Sequence, residues 1–234
     1  VDALLMCGGR GTRLGGETEK PLTRVAERPM VDRVCDALAG SRVETAYAVV
    51  SPHASATRAH LVEERPNLPV IDAPGDGYVA DLRYAMEAVG EADVDEAVDA
   101  GDSTPPPLLT VAADLPLLDP AAVDAVIDAA RAAGDGDAPR SLTVCVPAAR
   151  KRELGVSADA ATEVNGREVV PAGINVVGGG EVGSDDDGDS DHGTDDDGDA
   201  AVHVTEDARL AVNVNYPSDV RIAERLLNEG ETDD

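Results

Sequence analysis

The residues with the clearest chemical potential lie near the amino terminus. Leu5-Met6-Cys7-Gly8-Gly9-Arg10-Gly11-Thr12-Arg13-Leu14-Gly15-Gly16 is followed by Glu19-Lys20-Pro21-Leu22. Glycines let successive backbone N–H groups turn inward and approach phosphate oxygens without a Cβ clash. Arg13 and Lys20 add positive charge suited to a polyphosphate. Lys20 stands out because the chain holds one other lysine, Lys151. The loop is not a Walker A motif, since Lys20 does not follow a glycine at the required spacing. It is not a dinucleotide fingerprint either, since Leu14 stands where the third glycine is needed.

Other chemistries find little support. Cys7, Cys35 and Cys145 form no CxxC pair and no disulfide framework, which suits a reducing compartment. Cys7 reads as a small buried residue at a strand end. The four histidines, His53, His60, His192 and His203, are scattered, and no zinc-type spacing occurs. No GxSxG elbow is present for Ser-His-Asp hydrolysis. Arg150, Lys151 and Arg152 make a basic triplet, read either as a solvated patch or as a contact for a phosphorylated acceptor. The DDDGDSDHGTDDDGD stretch lacks the ligand spacing and terminal Glu of an EF-hand, so a solvated insertion competes with a calcium loop.

Strands are expected over 3–7, 45–50, 68–72, 108–114, 142–146 and 174–177. Helices are expected over 29–38, 54–64, 77–89, 120–133 and 219–227. Repeated strand–helix units predict an α/β fold, a Rossmann-like three-layer sandwich with a mostly parallel sheet covered on both faces. In such sheets the site lies beyond the carboxyl ends of the strands. The glycine loop sits there, directly after the first strand. A single domain over 1–234 is expected. Acidic low-complexity insertions are read at about 91–107 and 178–200, and a Gly/Asp turn at 134–139.

The chain has 234 residues and no Phe or Trp, so its core must be built from small aliphatics. Asp and Glu number 47 against 19 Lys and Arg, a net charge of −28. Such charge argues against nucleic acid or an anionic membrane as a partner. Setting aside the ten acids of 181–199 takes −28 only to −18, so the acidity is dispersed. Dispersed carboxylates with almost no lysine fit a salt-saturated cytoplasm, where ionic strength screens self-repulsion. An acidic interaction protein is the competing explanation. No run of 18 apolar residues predicts a membrane span. The opening VDALLMCGG lacks a basic region, so a cytoplasmic location is expected.

The combination GGRGTRL…EKPL resembles the signature of nucleotidyltransferases that activate sugars or cofactors with an NTP. Ala112-Ala113-Asp114-Leu115-Pro116-Leu117-Leu118 matches the strand-end acid of that superfamily, and Val212-Asn213-Val214-Asn215 before Pro217 and Asp219 matches its asparagine motif. Within it, the chain is most similar to the archaeal GTP:adenosylcobinamide-phosphate guanylyltransferases. DALLMCGGRGTRLGG, EKPL, VVSPHAS, VIDAPGDGYVADL, VPAGINVV and VNVNYPSDVRIAERLL carry that likeness from residue 2 to 227. The related molybdenum-cofactor guanylyltransferases differ at VPAGINVV and GDGYVADL. Asp76 departs from the pattern, standing where a small or basic residue is expected.

The resemblance implies a nucleotidyltransferase-type fold and transfer of GMP from GTP to adenosylcobinamide phosphate. Met6, Cys7, Gly8, Gly9, Arg10, Gly11, Thr12 and Arg13 would cradle the nucleotide. Arg13 and Lys20 would stabilise phosphate charge, and Asp114, helped by Asn215, would hold Mg²⁺. By analogy Ser51, Asp72, Gly75 and Gly77 lie where base and ribose are recognised. A helix-capping Ser51 and a turn Asp72 remain equal alternatives. Asp81 reads as first-turn helix charge or as a nucleotide contact. Pro171, Gly173 and Asn175 would line the acceptor side. The alternatives are molybdopterin, phospholactate or a sugar phosphate as acceptor, or a GTP sensor without turnover. A homodimer is a further implied assembly.

Overall fold

The computed structural model describes residues 1–9, 11–15, 18–94, 107–134, 140–178 and 200–230. Arg10, most of the two acidic stretches and the turn beyond residue 134 lie outside them. In chain order the elements are β1 (Asp2–Met6), a 3₁₀ turn (Lys20–Leu22), β2 (Arg24–Val25), β3 (Arg28–Pro29), α1 (Met30–Ala39), β4 (Ala46–Val50), α2 (Ser55–Glu64), β5 (Val70–Asp72) and α3 (Tyr78–Val94). Then come β6 (Leu108–Ala112), α4 (Pro120–Ala133), β7 (Leu142–Pro147), α5 (Ala148–Leu154), β8 (Thr162–Val164), β9 (Arg167–Val177), β10 (Ala201–Val204), α6 (Ala208–Ala211) and α7 (Pro217–Gly230).

The main sheet runs β10-β7-β9-β6-β1-β4-β5, with β8 pairing on β9. Strands β1, β4, β5 and β6 are mutually parallel, as are β7 and β10, while β9 is antiparallel to both β6 and β7. The expected three-layer α/β architecture is therefore present. Side chains alternate faces along a strand, and β1 shows the consequence. Leu4 and Met6 pack with Ala85 and Val89 of α3 on one face. Ala3, Leu5 and Cys7 pack with Val34 of α1 and Val123 and Ile127 of α4 on the other. Each fully buried Leu, Ile or Val contributes about 1.5–3 kcal/mol, so a core without Phe or Trp is well within reach.

Helix ends follow local chemistry. Asp119 caps α4, its Oδ1 accepting the Ala122 N–H at 2.8 Å, and Pro120 takes the first helical position where no N–H is required. α3 continues to Val94, five residues past its predicted end. Strand β9 begins at Arg167, seven residues before the predicted start. Its pairing with β7 shifts register between Thr143 and Cys145. Gly173, at φ +81°, sits in the irregular stretch, and Asn175 Oδ1 accepts the Val144 N–H at 3.3 Å. A side-chain oxygen there substitutes for a ladder carbonyl.

Candidate active site

Because β1, β4 and β6 are parallel, their carboxyl ends open on one side. Of the residues that follow these strands, Gly8, Gly9, Ser51, His53, Ala113 and Asp114 line a cleft of about 570 Å³. Glycines are required there by close approach. A Cβ at Gly8 would stand 2.5 Å from Ser51 Oγ, and one at Gly9 would stand 3.1 Å from Lys20 Cδ. Gly11 has φ +64° and lies against the Lys20 backbone, so the loop wraps around the stem of Lys20.

Glu19 anchors that lysine from behind. Its Oε1 accepts the Ala56 N–H at 2.9 Å, and its Oε2 accepts the Thr57 N–H and the Thr57 hydroxyl, both at 2.7 Å. It thereby caps α2 from a distant part of the chain. Burial pushes the Glu19 carboxyl up, but these hydrogen bonds outweigh it and hold the group below the usual carboxylate range.

Lys20 Nζ donates to Asp114 Oδ2 at 2.5 Å and to Asn215 Oδ1 at 2.9 Å. Residues 94 and 195 positions away thus converge on one ammonium. Asp114 follows β6, and Asn215 precedes α7. Val214 N–H donates to the Asp114 carbonyl at 2.9 Å. The fully buried Asp219 accepts the Asn215 and Tyr216 N–H groups at 2.9 Å each, and also the Ser157 N–H and hydroxyl. Asp219 therefore fixes the turn that carries Asn215.

The other oxygen of Asp114, Oδ1, is buried and has no hydrogen-bond partner; among the described residues no other side-chain oxygen or nitrogen is so placed. A buried acceptor left without a partner costs about 1–3 kcal/mol. A Cβ at Gly173 would come within 3.9 Å of it. The donors here are a carboxylate and an amide oxygen, which suit a hard cation that keeps water and phosphate oxygens in its shell. No group of three or more His, Cys, Asp or Glu suited to a metal occurs among the described residues.

Opposite this centre, Ser51 Oγ donates to Asp81 Oδ2 at 2.8 Å, and the Gly75 N–H donates to Asp81 Oδ1 at 2.7 Å. Asp81 is buried, and it ties the end of β4 to the 75–77 turn. Gly75 and Gly77 adopt φ +84° and +120°, and with Asp76 they line the cleft. Tyr78 borders it too; burial pushes its hydroxyl up, a hydrogen bond with Thr110 pulls it down, the Asp114 charge raises it, and the balance is upward.

The remaining expected residues fall as follows. Met6 lines the cleft, whereas the Cys7 side chain is fully buried on the opposite face of β1. Burial above all, with Cys35 nearby, pushes the Cys7 thiol far up. Asp72 is not brought to the cleft; it takes Arg58 at 2.6 and 2.9 Å on the exposed surface. Gly173 adjoins Asp114, while Pro171 is exposed and Asn175 spends its oxygen on Val144. Gly9, Gly11, Thr12, Arg13, Lys20 and Asn215 frame a second hollow of about 270 Å³. There Arg13 pairs with Asp159 at 3.5 Å and lies over the Tyr216 ring, and the Tyr216 hydroxyl donates to Asp159 at 2.6 Å. Arg10 lies outside the described residues.

Three neighbours escaped sequence reasoning: Asp159, Tyr216 and the anchoring role of Asp219. Lys151 corrects an expectation. It is not part of a solvated patch, since only 1% of it is exposed. The sequence signal was present in its being the second of two lysines.

Comparison with known proteins agrees with this geometry. The MobA-like NTP transferase domain matches residues 3–169. The adenosylcobinamide-phosphate guanylyltransferase of Methanocaldococcus jannaschii is 29% identical over 181 residues, covering 76% of this chain and 80% of that protein. A 4-diphosphocytidyl-2C-methyl-D-erythritol synthase structure superposes with TM-score 0.63 at 14% identity, and that of Anaerococcus prevotii with 0.60 at 11%; each match covers 97% of both chains. These structures share the fold. Among the described residues no helix is long and apolar enough to cross a membrane. With the motif order, the converging Lys20, Asp114 and Asn215 and the matched span in agreement, the chain belongs to the MobA-like NTP transferase domain family and is a nucleotidyltransferase.

Proposed function

We propose that the protein moves GMP from GTP to adenosylcobinamide phosphate, giving adenosylcobinamide-GDP and pyrophosphate. The observation that carries this reading is the single ammonium of Lys20 bridging Asp114 and Asn215 under a glycine loop, with Asp114 Oδ1 left bare. The choice of GTP and of the acceptor rests on the similarity to the Methanocaldococcus jannaschii protein.

A phosphate oxygen of the acceptor forms a bond to the α-phosphorus. The bond from that phosphorus to the bridging oxygen breaks, and its electron pair leaves with pyrophosphate. The acceptor phosphate is already ionised, so the site needs no general base; positioning and charge neutralisation suffice. Gly8, Gly9 and Gly11 let the triphosphate approach the backbone closely. Lys20 and Arg13 exchange their carboxylate partners for phosphate oxygens and stabilise the charge that builds on the leaving group. Asp114 and Asn215 would hold Mg²⁺, which neutralises triphosphate charge when bound. Ser51, Gly75 and Gly77, tied together by Asp81, shape the nucleoside wall. The dispersed acidity, −18 even without the ten acids of 181–199, supports activity in concentrated salt.

The test is an acceptor panel in several-molar KCl with GTP and Mg²⁺, measuring pyrophosphate release. Adenosylcobinamide phosphate should support release, and molybdopterin, phospholactate and a sugar phosphate should not. Release with one of those three would overturn the acceptor. Tight GTP binding without transfer to any of the four would favour a sensor.

A further inference from the structure

The segment that presents Asn215 is held at three places. Val214 N–H bonds the Asp114 carbonyl, and Asp219 gathers the Asn215 and Tyr216 N–H groups. The third hold lies behind the site. Lys151 Nζ donates to the Ala211 carbonyl at 2.8 Å and to Asn213 Oδ1 at 2.6 Å. Val212 and Val214 are fully buried in the core, so the two asparagines of Val212-Asn213-Val214-Asn215 alternate with core anchors. Each asparagine is gripped by one of the two lysines in the chain.

A buried ammonium is expensive to desolvate, and replacing it together with its polar partners by well-packed apolar groups is often neutral or stabilising. Burial pulls Lys151 down from the ordinary lysine range, against the opposing pull of Asp219, Asp114 and Asp159. Packing alone therefore does not account for a lysine here. A donor that clamps two oxygens of one short segment does, and it also sets a positive charge behind the site carboxylates. The chain uses arginine for its other 17 side-chain cations, so the compact head of lysine is a departure from its own habit.

We propose that Lys151 is a positioning residue for nucleotidyl transfer: by clamping Ala211 and Asn213 it fixes the backbone that sets the Asn215 amide oxygen beside Asp114. The inference rests on Asp114 and Asn215 forming the metal-binding side of the site, and not on the identity of the acceptor. The test compares Lys151→Met, Asn213→Ala and Asn213→Asp by calorimetric GTP binding, once in EDTA and once across a Mg²⁺ titration, together with kcat. In Lys151→Met and Asn213→Ala the Mg²⁺ concentration that half-saturates its effect should rise about tenfold or more, as for other partners of metal ligands. GTP affinity in EDTA should move less than about threefold, because residues 8–13 are untouched. Asn213→Asp, which keeps an oxygen for Lys151, should stay within about threefold of the parent in both. Equal Mg²⁺ dependence in Asn213→Ala and the parent would overturn the assignment. So would equal losses with and without Mg²⁺, which mark general damage. Should Lys151→Met fail to fold, the two Asn213 variants decide. A parent chain that binds GTP in a Mg²⁺-dependent way but transfers to no acceptor defeats the acceptor reading and leaves Lys151 to these arms.

Discussion

Lys20 and Lys151 make nearly the same bonds to asparagines two residues apart, in opposite surroundings. Lys20 stands in a cleft with 18% of its side chain exposed, and its second partner is a carboxylate with one oxygen still bare. Lys151 is sealed at 1% exposure, and its second partner is a main-chain carbonyl. The difference separates two uses of one charge. A cation at an open mouth can trade its carboxylate for an incoming phosphate. A cation behind the wall has nothing to trade and holds geometry instead.

The contrast breaks most sharply at Lys20. Lys20→Met should lower kcat about 10³-fold, the cost of losing an oriented charge-stabilising donor, while moving Tm by less than about 3 °C in thermal melts. Lys151→Met should reverse the order of effects. It leaves the buried Ala211 carbonyl and the half-buried Asn213 amide oxygen without this donor, at about 1–3 kcal/mol for the buried one, so melts should fall by about 3–10 °C. If the two variants lose activity and stability in the same proportion, the distinction between mouth and wall fails.

A smaller effect concerns Glu19, which places Lys20 from outside the cleft. Its folded carboxyl lies below the ordinary value of about 4.3. Its contribution is therefore fully present above that value and is lost as pH falls through the folded one. Denaturant melts of the parent and Glu19→Gln should differ by a constant amount above about pH 5.5. The gap should close as the solution is acidified further, and a gap independent of pH would show that the carboxylate charge is not what caps α2. The smallest effect is expected at the thiols. Cys7, Cys35 and Cys145 are all buried, and burial, the largest influence at Cys35, pushes that thiol up to about 12. Native protein at pH 8 should resist maleimide over hours and take up three labels on unfolding.

The sequence was legible where signals are local. Asp119-Pro120 and Gly134 bracket α4 at both predicted ends, because capping chemistry is written within a few residues. Strands β1, β4, β5, β6 and β7 declared themselves as apolar runs. Strand β9 was legible only over 174–177; its earlier half was not, because the fold carries the strand through Pro171 and uses Gly173 inside an irregularity that Asn175 closes. Helix α5 was missed because AARKREL lacks apolar periodicity once Lys151 counts as polar, although it is among its buried positions. β10, four residues beyond an acidic stretch, carried too short a pattern to read.

The site divides in the same way. Gly8, Gly9, Lys20, Asp114 and Asn215 were all legible from motif, and the fold brings them together. Asp81 reads as first-turn charge or a nucleotide contact and Asp219 as part of the asparagine motif, and neither reading reaches their partners Ser51 and Ser157, which lie 30 and 62 residues away. Asp72 shows the converse: its position after a strand resembled a ligand site, and a nearby arginine claims it instead.

A crystal structure of the protein with GTP and Mg²⁺ tests the central claim most directly. The account predicts the triphosphate along residues 8–13, with the Lys20 ammonium moved from Asp114 onto phosphate oxygen and Asp114 Oδ1 no longer bare. Nucleotide bound elsewhere, with the Lys20–Asp114 pair still closed at 2.5 Å, would contradict it.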